Sequence, residues 1–405
     1  MSEQKPMEIQ GSLERLLRPI ALTDFFDQYW ERAPLIVRHH APNYFHSVVS
    51  FSEIDRIIST LDLRFPDVKL VNSSDNIASD QYVLPGNKIN RTKLCQLFED
   101  GSTIILNGLQ DWIPSLADLC RGLEHDLSLP IQANVYVTPR LSMGLKIHFD
   151  THDVFVLQIE GCKHWTLYDI AIELPLRGQE FDPASHLPGE ISSEFELRAG
   201  DVAYVPRGLM HSAKSQDDYS LHVTIGVLGY TWADVLTEAL AALALREPKL
   251  RKAICPGFAK ASFDRSILER ISEDLGRHCM KHMDILSAID HFSEEFALTR
   301  RPVLVNQLSQ TMNGRDVRFD TIVGVRPDLI CKVREDLETV QLICYNNNVT
   351  IPGFAKEAIH FILAHPKFTP AEIPGNLDGP GKITLVSRLI REGILHVVEG
   401  HEKPC

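Results

Sequence analysis

The chain lacks a long hydrophobic run. No stretch approaches the roughly 18 consecutive apolar residues that a membrane-spanning helix requires, and the longest helix-like apolar run, Thr237–Leu245, stops far short of it. The opening residues, MSEQKPMEIQGS, are polar and contain no apolar core of the kind a secretory signal carries. Paired cysteine motifs are missing too. Eight cysteines lie scattered at positions 95, 120, 162, 255, 279, 331, 344 and 405, with no CxxC and no histidine at zinc-finger spacing. That pattern reads as reduced thiols in a cytoplasmic protein rather than as a disulfide framework. Positive charge is also short, with 41 basic against 54 acidic residues and a net charge of −13. A protein that tracks a phosphate backbone needs a basic face, so nucleic acid is disfavoured as a partner, whereas a basic polypeptide would be attracted. Neither an internal repeat nor a low-complexity segment is visible.

The composition present is that of an ordinary globular protein, 44% hydrophobic and 23% charged, and 405 residues allow two to three domains. Residues 1–20 read as a partly ordered lead-in. Thr23 and Asp24 are placed to cap a helix, DFFDQYWERAP, that stops at Pro34, and LIVRHH follows as a strand. Ser52 followed by Asp55 opens a second helix. Residues 70–90 read as loop, Arg91–Glu99 and Asp111–Leu127 as helices, and STIILNGL as a strand between them. From Ile131 to Leu228 the texture turns β: IQANVYVT, GLKIHFD, DVFVLQIE, HWTLYD, SEFELRAG, DVAYVPR and YSLHVTIGVL are short runs split by turn residues. That density of strands predicts a double-stranded barrel of the cupin or jelly-roll type, a mainly β core with α additions. Trp232–Leu298 carries apolar residues at helical steps, read as a dimerisation element in preference to a pair packed on the barrel. The last hundred residues read as a hairpin around an Asn-rich turn, a helix ended by Pro366, a second helix and a final strand, an order that suggests a winged helix.

The stretch from Gly144 to Asp169 is the most informative. His148 and Asp150 lie two apart in an apolar, extended segment, and a strand sends such residues to one face. Alone, an HxD pair is more often a surface pair or a satisfied core histidine. A second phrase, GDVAYVPRGLMH, turns through Pro-Arg-Gly and aims His211 back. Two histidines and a carboxylate with open positions left over form the facial triad of non-haem Fe(II) oxygenases. Such a metal can take a bidentate 2-oxo acid and O2. A 2-oxo diacid needs a cation for its distal carboxylate, and Lys163, thirteen residues after Asp150, stands in an apolar strand where an unpaired ammonium is costly. Against this stands the simple alternative that Lys163 points to solvent.

These phrases resemble the jumonji-C 2-oxoglutarate oxygenases, and within them the ribosomal-oxygenase (cupin-4) branch. DFFDQYWERAPLIVR, NVYVTP, HFD, FVLQIEGCKHWTLYD, GDVAYVPRGLMH and LHVTI carry the likeness. The resemblance implies Fe(II) on His148, Asp150 and His211, the distal carboxylate of 2-oxoglutarate on Lys163, Asn134 in contact with that cosubstrate, and Tyr136 lining the pocket. It also implies a jumonji-C/cupin domain with N-terminal helices over residues 1–230, a helical dimerisation domain over 231–310 and a winged-helix-like domain over 311–405. One departure is Gly226, which stands where several members carry a serine that contacts the cosubstrate.

The expected activity is Fe(II)- and 2-oxoglutarate-dependent hydroxylation of a protein or peptide side chain by O2, with an arginine or histidine of a ribosomal protein the leading target. The alternatives are hydroxylation of a ribosomally made precursor peptide, a non-catalytic metal-bound cupin that binds peptide, and, more weakly, lysine demethylation, since the branch resembled carries a winged helix and not chromatin-reader modules. Among the other histidines, His152 is close enough in sequence to stand behind the metal ligands, His164 and His222 read as ordinary strand residues, and His39, His40 and His186 as exposed. Arg207 is placed either to touch substrate or to stabilise its own turn.

Overall fold

The computed structural model describes residues 12–398, apart from residues 75, 76, 328 and 346 and the side chains of Asn313 and Arg315. The polar opening residues and Cys405 lie outside the described residues; the other seven cysteines are all free thiols. None of the described helices is long and apolar enough to cross a membrane. The chain divides into two compact units. The first is residues 1–229 with 302–309 and 326–328; the second is 230–301, 310–325 and 329–405.

The first unit is built on two antiparallel sheets. Its strands are β1 (Leu35–Val37), β2 (Val68–Val71), β3 (Val83–Leu84), β4 (Lys88–Ile89), β5 (Thr103–Leu106), β6 (Ile131–Thr138), β7 (Asp153–Glu160), β8 (Cys162–Ile170), β9 (Ile191–Arg198), β10 (Val202–Val205), β11 (Leu209–Ser215) and β12 (Ser220–Val227). The larger sheet runs β1-β10-β7-β12-β6-β5-β2 and the smaller β11-β8-β9, with β3 and β4 a separate hairpin. Strand β7 is buried along almost its whole length, which explains why DVFVLQIE reads as a continuous apolar run instead of an alternating one. Phe155, Leu157 and Ile159 face one way, into a large core shared with Leu13, Leu16, Leu17, Phe25, Ile54, Leu116 and Leu123. Val154 and Val156 face the other way and meet Trp165 of β8 and Leu197 of β9. Each Leu, Ile or Phe so buried contributes on the order of 1.5–3 kcal/mol. The architecture is the mainly β, cupin-like core that the strand density predicts.

The helices on the outer face are α1 (Ser12–Leu17), α2 (Leu22–Gln28), α3 (Phe51–Thr60), α4 (Arg91–Glu99) and α5 (Pro114–Leu127). Several local expectations are corrected. The stretch 12–17 is no lead-in but a helix with three buried leucines. Thr23 and Asp24 lie inside α2, whose N-cap is Ala21 with no side-chain cap, and α2 ends at Gln28 well before Pro34. The cap of α3 is Ser50, which accepts from the Glu53 backbone N–H, and Ser52 is already helical. Residues 70–90 include strand β2 and the β3–β4 hairpin as well as loop.

The turn between β10 and β11 is fixed from behind. Asp153 is 2% exposed and collects three donors: the Tyr204 hydroxyl at 2.8 Å, the Arg207 guanidinium at 2.8 Å and the Arg207 backbone N–H at 3.3 Å. Arg207 also pairs with Glu31, and the Glu31 backbone N–H donates to Tyr204 at 2.8 Å. Of the two readings of Arg207, the one in which it stabilises its own turn is borne out.

The second unit contains α6 (Trp232–Arg246), α7 (Arg265–His282) and α8 (Ile285–Thr299). Thr231 and Asp234 form a capping box at the start of α6. Helices α6 and α8 share a small core of Val235, Ala239 and Ala288, whereas α7 buries none of its side chains. Beyond them lie two three-stranded sheets. One combines Lys367–Phe368, Val323–Val325 and Leu395–Val397; the other Lys332–Glu335, Thr339–Cys344 and Asn347–Pro352. The expected single hairpin is therefore a three-stranded meander. Its Asn-rich turn includes residue 346, which lies outside the described residues. Helices Lys356–Ala364 and Gly379–Arg391 supply Ile359, Ile362, Val386 and Leu389 to the core of this unit.

Removing one partner of a buried, hydrogen-bonded ion pair leaves the other charge uncompensated, at about 3–5 kcal/mol. Asp153→Ala is therefore expected to lower the unfolding free energy by about that amount, measured by urea denaturation. A change under about 1 kcal/mol would show that the cluster does not brace the turn.

Candidate metal centre

His148 and His211 are joined through their backbones. Each donates its N–H to the other's carbonyl, at 3.2 Å from His148 and 2.8 Å from His211, as an isolated antiparallel bridge beside the start of β11. Two residues on, the Asp150 carbonyl accepts from Gly208 N–H at 3.0 Å. Residues 148–150 are thus extended but are not the regular strand expected from GLKIHFD. Gly208 has φ +85°, and a Cβ there would lie 1.9 Å from the Ile172 carbonyl oxygen, so the turn that delivers His211 requires glycine.

Both imidazoles are oriented in the same way. His148 Nδ1–H donates to the Lys146 carbonyl at 2.8 Å, and His211 Nδ1–H donates to the Leu209 carbonyl at 3.0 Å. A neutral ring that gives its Nδ1 proton to a carbonyl presents Nε2 as a bare lone pair. The rings lie 4.5 Å apart by centroid, and His211 Nε2 is 3.7 Å from an Asp150 oxygen. One donor atom from each of His148, Asp150 and His211 falls within 4.8 Å of the others. Burial, followed by the neighbouring His148, pushes the His211 pKa down to about 4, so the ring is neutral near pH 7. Two imidazole nitrogens and one carboxyl group, converging with no fourth such side chain among the described residues, fit a divalent ion with open positions.

The ligands face a cavity of about 560 Å³, part of it open to solvent. Thr103, Tyr136, Gly144, Lys163, Trp165, His222 and Thr224 line it together with apolar groups such as Val154, Val156 and Val205. Strand parity puts them there. On β8, Lys163, Trp165 and Leu167 are buried while His164, Thr166 and Tyr168 lie on the opposite, half-buried face. Lys163 is 3% exposed, so the solvent-pointing alternative does not hold. Among the described residues no carboxylate pairs with it, and burial alone drives its pKa down to about 7. Tyr136 is raised above the usual phenol range by burial and then by the Asp150 carboxylate.

Asn134 shares the face of β6 that carries Tyr136 but does not line this cavity. Its Oδ1 accepts from the Gly108 N–H at 3.1 Å. His222 is the residue that sequence reasoning misses. It reads as an ordinary strand histidine, yet it lines the cavity and stacks on Tyr136 at 4.7 Å and 6°. Parity on LHVTI is the signal that could find it, because Leu221, Val223 and Ile225 occupy the opposite face.

Gly226 and His152 explain each other. A Cβ at position 226 would lie 2.7 Å from the Cδ2 and Nε2 atoms of His152, so the half-buried imidazole occupies the volume that a side chain at 226 would fill. Two of the histidines expected to be exposed are not. His39 is half-buried and stacks on Tyr44 at 3.9 Å, and His186 packs on Phe149 at 5.1 Å. His40 is exposed as expected. His164 lies on the outer face beside Glu194, at 3.3 Å.

Residues 110–235 match the JmjC domain family model. Ribosomal oxygenase 2 of Mus musculus is 32% identical over 238 residues, covering 56% of this chain and 50% of that protein. The bifunctional lysine-specific demethylase and histidyl-hydroxylase NO66 of Drosophila mojavensis is 30% identical over 236 residues, covering 56% of this chain and 26% of that protein. The matches thus span half or less of these relatives' length. The solved structure of YcfD, a ribosomal oxygenase from Escherichia coli in complex with cobalt and 2-oxoglutarate, aligns with a TM-score of 0.55 at 13% identity, over 94% of this chain and 98% of that one. At that identity the likeness shows the fold. Residues 110–235 are thus similar to a JmjC domain, and ribosomal oxygenases are among the proteins the chain resembles, as the motifs imply.

Gly226→Ser is expected to cost about 1 kcal/mol or more, because the His152 ring must move. In the His152→Ala background the cost should largely vanish, read as a double-mutant cycle in thermal or urea unfolding. Additive effects would show that the ring is not the obstacle.

Proposed function

We propose that this protein is an Fe(II)- and 2-oxoglutarate-dependent hydroxylase of a protein or peptide side chain. The observation that carries the reading is the pairing of two features in one cavity: a three-ligand cluster with bare Nε2 atoms, and a buried lysine with no acid of its own. His148, Asp150 and His211 would hold the metal. When bound, Fe(II) supplies the activation of O2 coupled to decarboxylation of the 2-oxo acid. The chain's own residues do the rest. Lys163 pairs with the distal carboxylate and neutralises that end of the acid. Tyr136 lines the same cavity, and Asn134, on the same face of β6 but outside that lining, has an amide NH2 to offer an acid that extends toward it. Val154, Val156, Val205 and Ala213 keep water from the reacting centre.

A polypeptide is the favoured substrate. The net charge of −13 suits a basic partner, and the relatives named above are, by their names, a ribosomal oxygenase and a bifunctional lysine-specific demethylase and histidyl-hydroxylase. An arginine or histidine of a ribosomal protein remains the leading target. Arg207 is committed to Asp153 and Glu31, so it is removed from the set of substrate contacts. In this reading residues 1–230 form the oxygenase domain, 231–310 a dimerisation domain and 311–405 a winged-helix-like module. Dimerisation is supported by the apolar side chains that α6–α8 leave exposed, among them Trp232, Leu236, Leu240, Leu245, Met280 and Leu286.

The activity is tested by incubating the protein with Fe(II), ascorbate, O2 and 2-oxoglutarate, and with basic ribosomal peptides, precursor peptides or free amino acids. Succinate release coupled to one added oxygen on a peptide is expected. Stoichiometric hydroxylation of a free amino acid with no peptide turnover would overturn the polypeptide reading, and peptide binding without succinate would leave a non-catalytic binder.

Lys163 gives a sign to the pH dependence. The pairing needs the ammonium form, and burial holds the lysine's pKa at about 7. At saturating metal, 2-oxoglutarate affinity should be constant below pH 7 and fall up to about tenfold per unit above it, as deprotonated lysine competes. Lys163→Ala should weaken binding about tenfold or more and flatten this profile. Unchanged affinity in Lys163→Ala would contradict the pairing. Light scattering at micromolar concentration should give twice the 45.7 kDa chain mass, and a monomer would contradict the dimerisation role.

A further inference from the structure

The cavity contains more hydrogen-bonding capacity than Lys163 alone supplies. His222 is 4% exposed, and its Nδ1 has no hydrogen-bond partner. Such an atom costs about 1–3 kcal/mol when left unsatisfied, so a folded protein normally provides a partner for it. Trp165, in the same lining, also has a buried Nε1–H with no acceptor. Neither the Tyr136 hydroxyl nor the Lys163 ammonium is hydrogen-bonded to a described residue. Four polar tips, on β6, β8 and β12, therefore surround one cavity with no protein partner among the described residues. Lys163 is near enough for its charge to act on His222, which burial and that charge keep neutral. The groups that titrate around the cavity are Tyr136, His148, Asp150, Lys163, His211 and His222, and the one acid among them belongs to the ligand cluster.

The position of His222 is also fixed. Its ring lies flat on Tyr136, 4.7 Å away, and edge-on to Trp165 at 6.2 Å and 78°. Its backbone is paired on both sides, with Tyr136 of β6 and Gln158 of β7. A neutral imidazole so held cannot turn toward solvent. It can be satisfied only by something that enters the cavity.

We infer that His222 is a second anchor for the distal carboxylate of the 2-oxo acid, donating a hydrogen bond from Nδ1 to the oxygen that Lys163 does not neutralise. This rests on the cosubstrate reading above and adds a residue to it. Lys163 supplies charge and His222 supplies direction, because an ammonium is a rotatable point charge and a stacked ring is not. Discrimination between acids of different length then falls to the ring.

The test is calorimetric binding to Mn(II)-loaded protein, which reads affinity without turnover. His222→Phe keeps the stack on Tyr136 and removes the donor. Its Kd for 2-oxoglutarate should rise about tenfold. Its Kd for 2-oxobutanoate, which has the same metal-binding end but no distal carboxylate, should not move. His222→Asn places an N–H near the lost Nδ1 and should recover most of the 2-oxoglutarate affinity. Unchanged binding of both acids in His222→Phe would overturn the inference, and so would an equal loss for both, which marks a structural role. Lys163→Ala separates the two levels. If it also leaves 2-oxoglutarate binding untouched, the cosubstrate reading itself fails; if it weakens binding while His222→Phe does not, only the second anchor fails.

Discussion

Two backbone hydrogen bonds between His148 and His211 set the spacing on which the whole site depends. They tie the extended segment after β6 to the first residues of β11, although the two are 63 positions apart in the chain (211 − 148). Nothing in the side chains alone would hold two imidazoles 4.5 Å apart, since two such rings gain little from each other in water. The bridge does so at the level of the main chain. The carbonyls of Lys146 and Leu209 then turn both rings by the same rule, two residues before each histidine. Asp150 arrives because its own carbonyl is held by Gly208, and Gly208 is where it is because Asp153 grips the turn through Arg207 and Tyr204. A chain of ordinary hydrogen bonds runs from the buried aspartate to the ligand cluster, and each link is a preorganised one that costs no further ordering when a metal binds.

The second constraint is the pleat. In the larger sheet a two-residue period divides β6, β7 and β12 into a face that feeds the large apolar core and a face that looks into the cavity. Leu221, Val223 and Ile225 look one way, His222 and Thr224 the other; Ile131, Ala133 and Val135 one way, Tyr136 the other. Polar groups on the cavity face of β12 are carried into the interior by their apolar neighbours, and the burial of those neighbours offsets the desolvation of His222. On β8 the support comes from the same face: Trp165 and Leu167, buried beside Lys163, hold the strand in place while the cavity is left receptive to an anion.

Much of this is legible in the sequence, for reasons that are physical. The HxD spacing, the Pro-Arg-Gly turn and the density of short strands each report a local backbone requirement, and the cupin-like core follows from them. Lys163 is legible as a conflict, a charge among Trp165, Leu167 and Tyr168, although the sequence alone leaves its direction open. What escapes is whatever depends on contacts across the fold. His222 has no unusual neighbour in sequence; parity on LHVTI can put it on the inner face, but its stacking on Tyr136 and its place in the cavity lining need β6 and β8 beside it. Arg207 needs Glu31, which is remote in the chain, to reveal that it braces the turn. The glycine at 226 reads as a departure, and only the position of the His152 ring gives it a cause. Helix caps are misplaced for the opposite reason: at α3 Ser50 and Ser52 stand two apart and the helix starts after the first, while α2 starts after Ala21, ahead of both Thr23 and Asp24, with no side-chain cap at all.

The claim on which the rest stands is that three side chains form one open, divalent metal site that a 2-oxo acid completes. Anaerobic titration with Fe(II), followed by 2-oxoglutarate and read by visible absorption, tests it most directly. The expected result is saturation at one Fe(II) per chain and a charge-transfer band that appears on adding 2-oxoglutarate, not succinate, and is lost in Asp150→Ala. A stoichiometry other than one, or iron binding and a band that survive intact in Asp150→Ala, would contradict it.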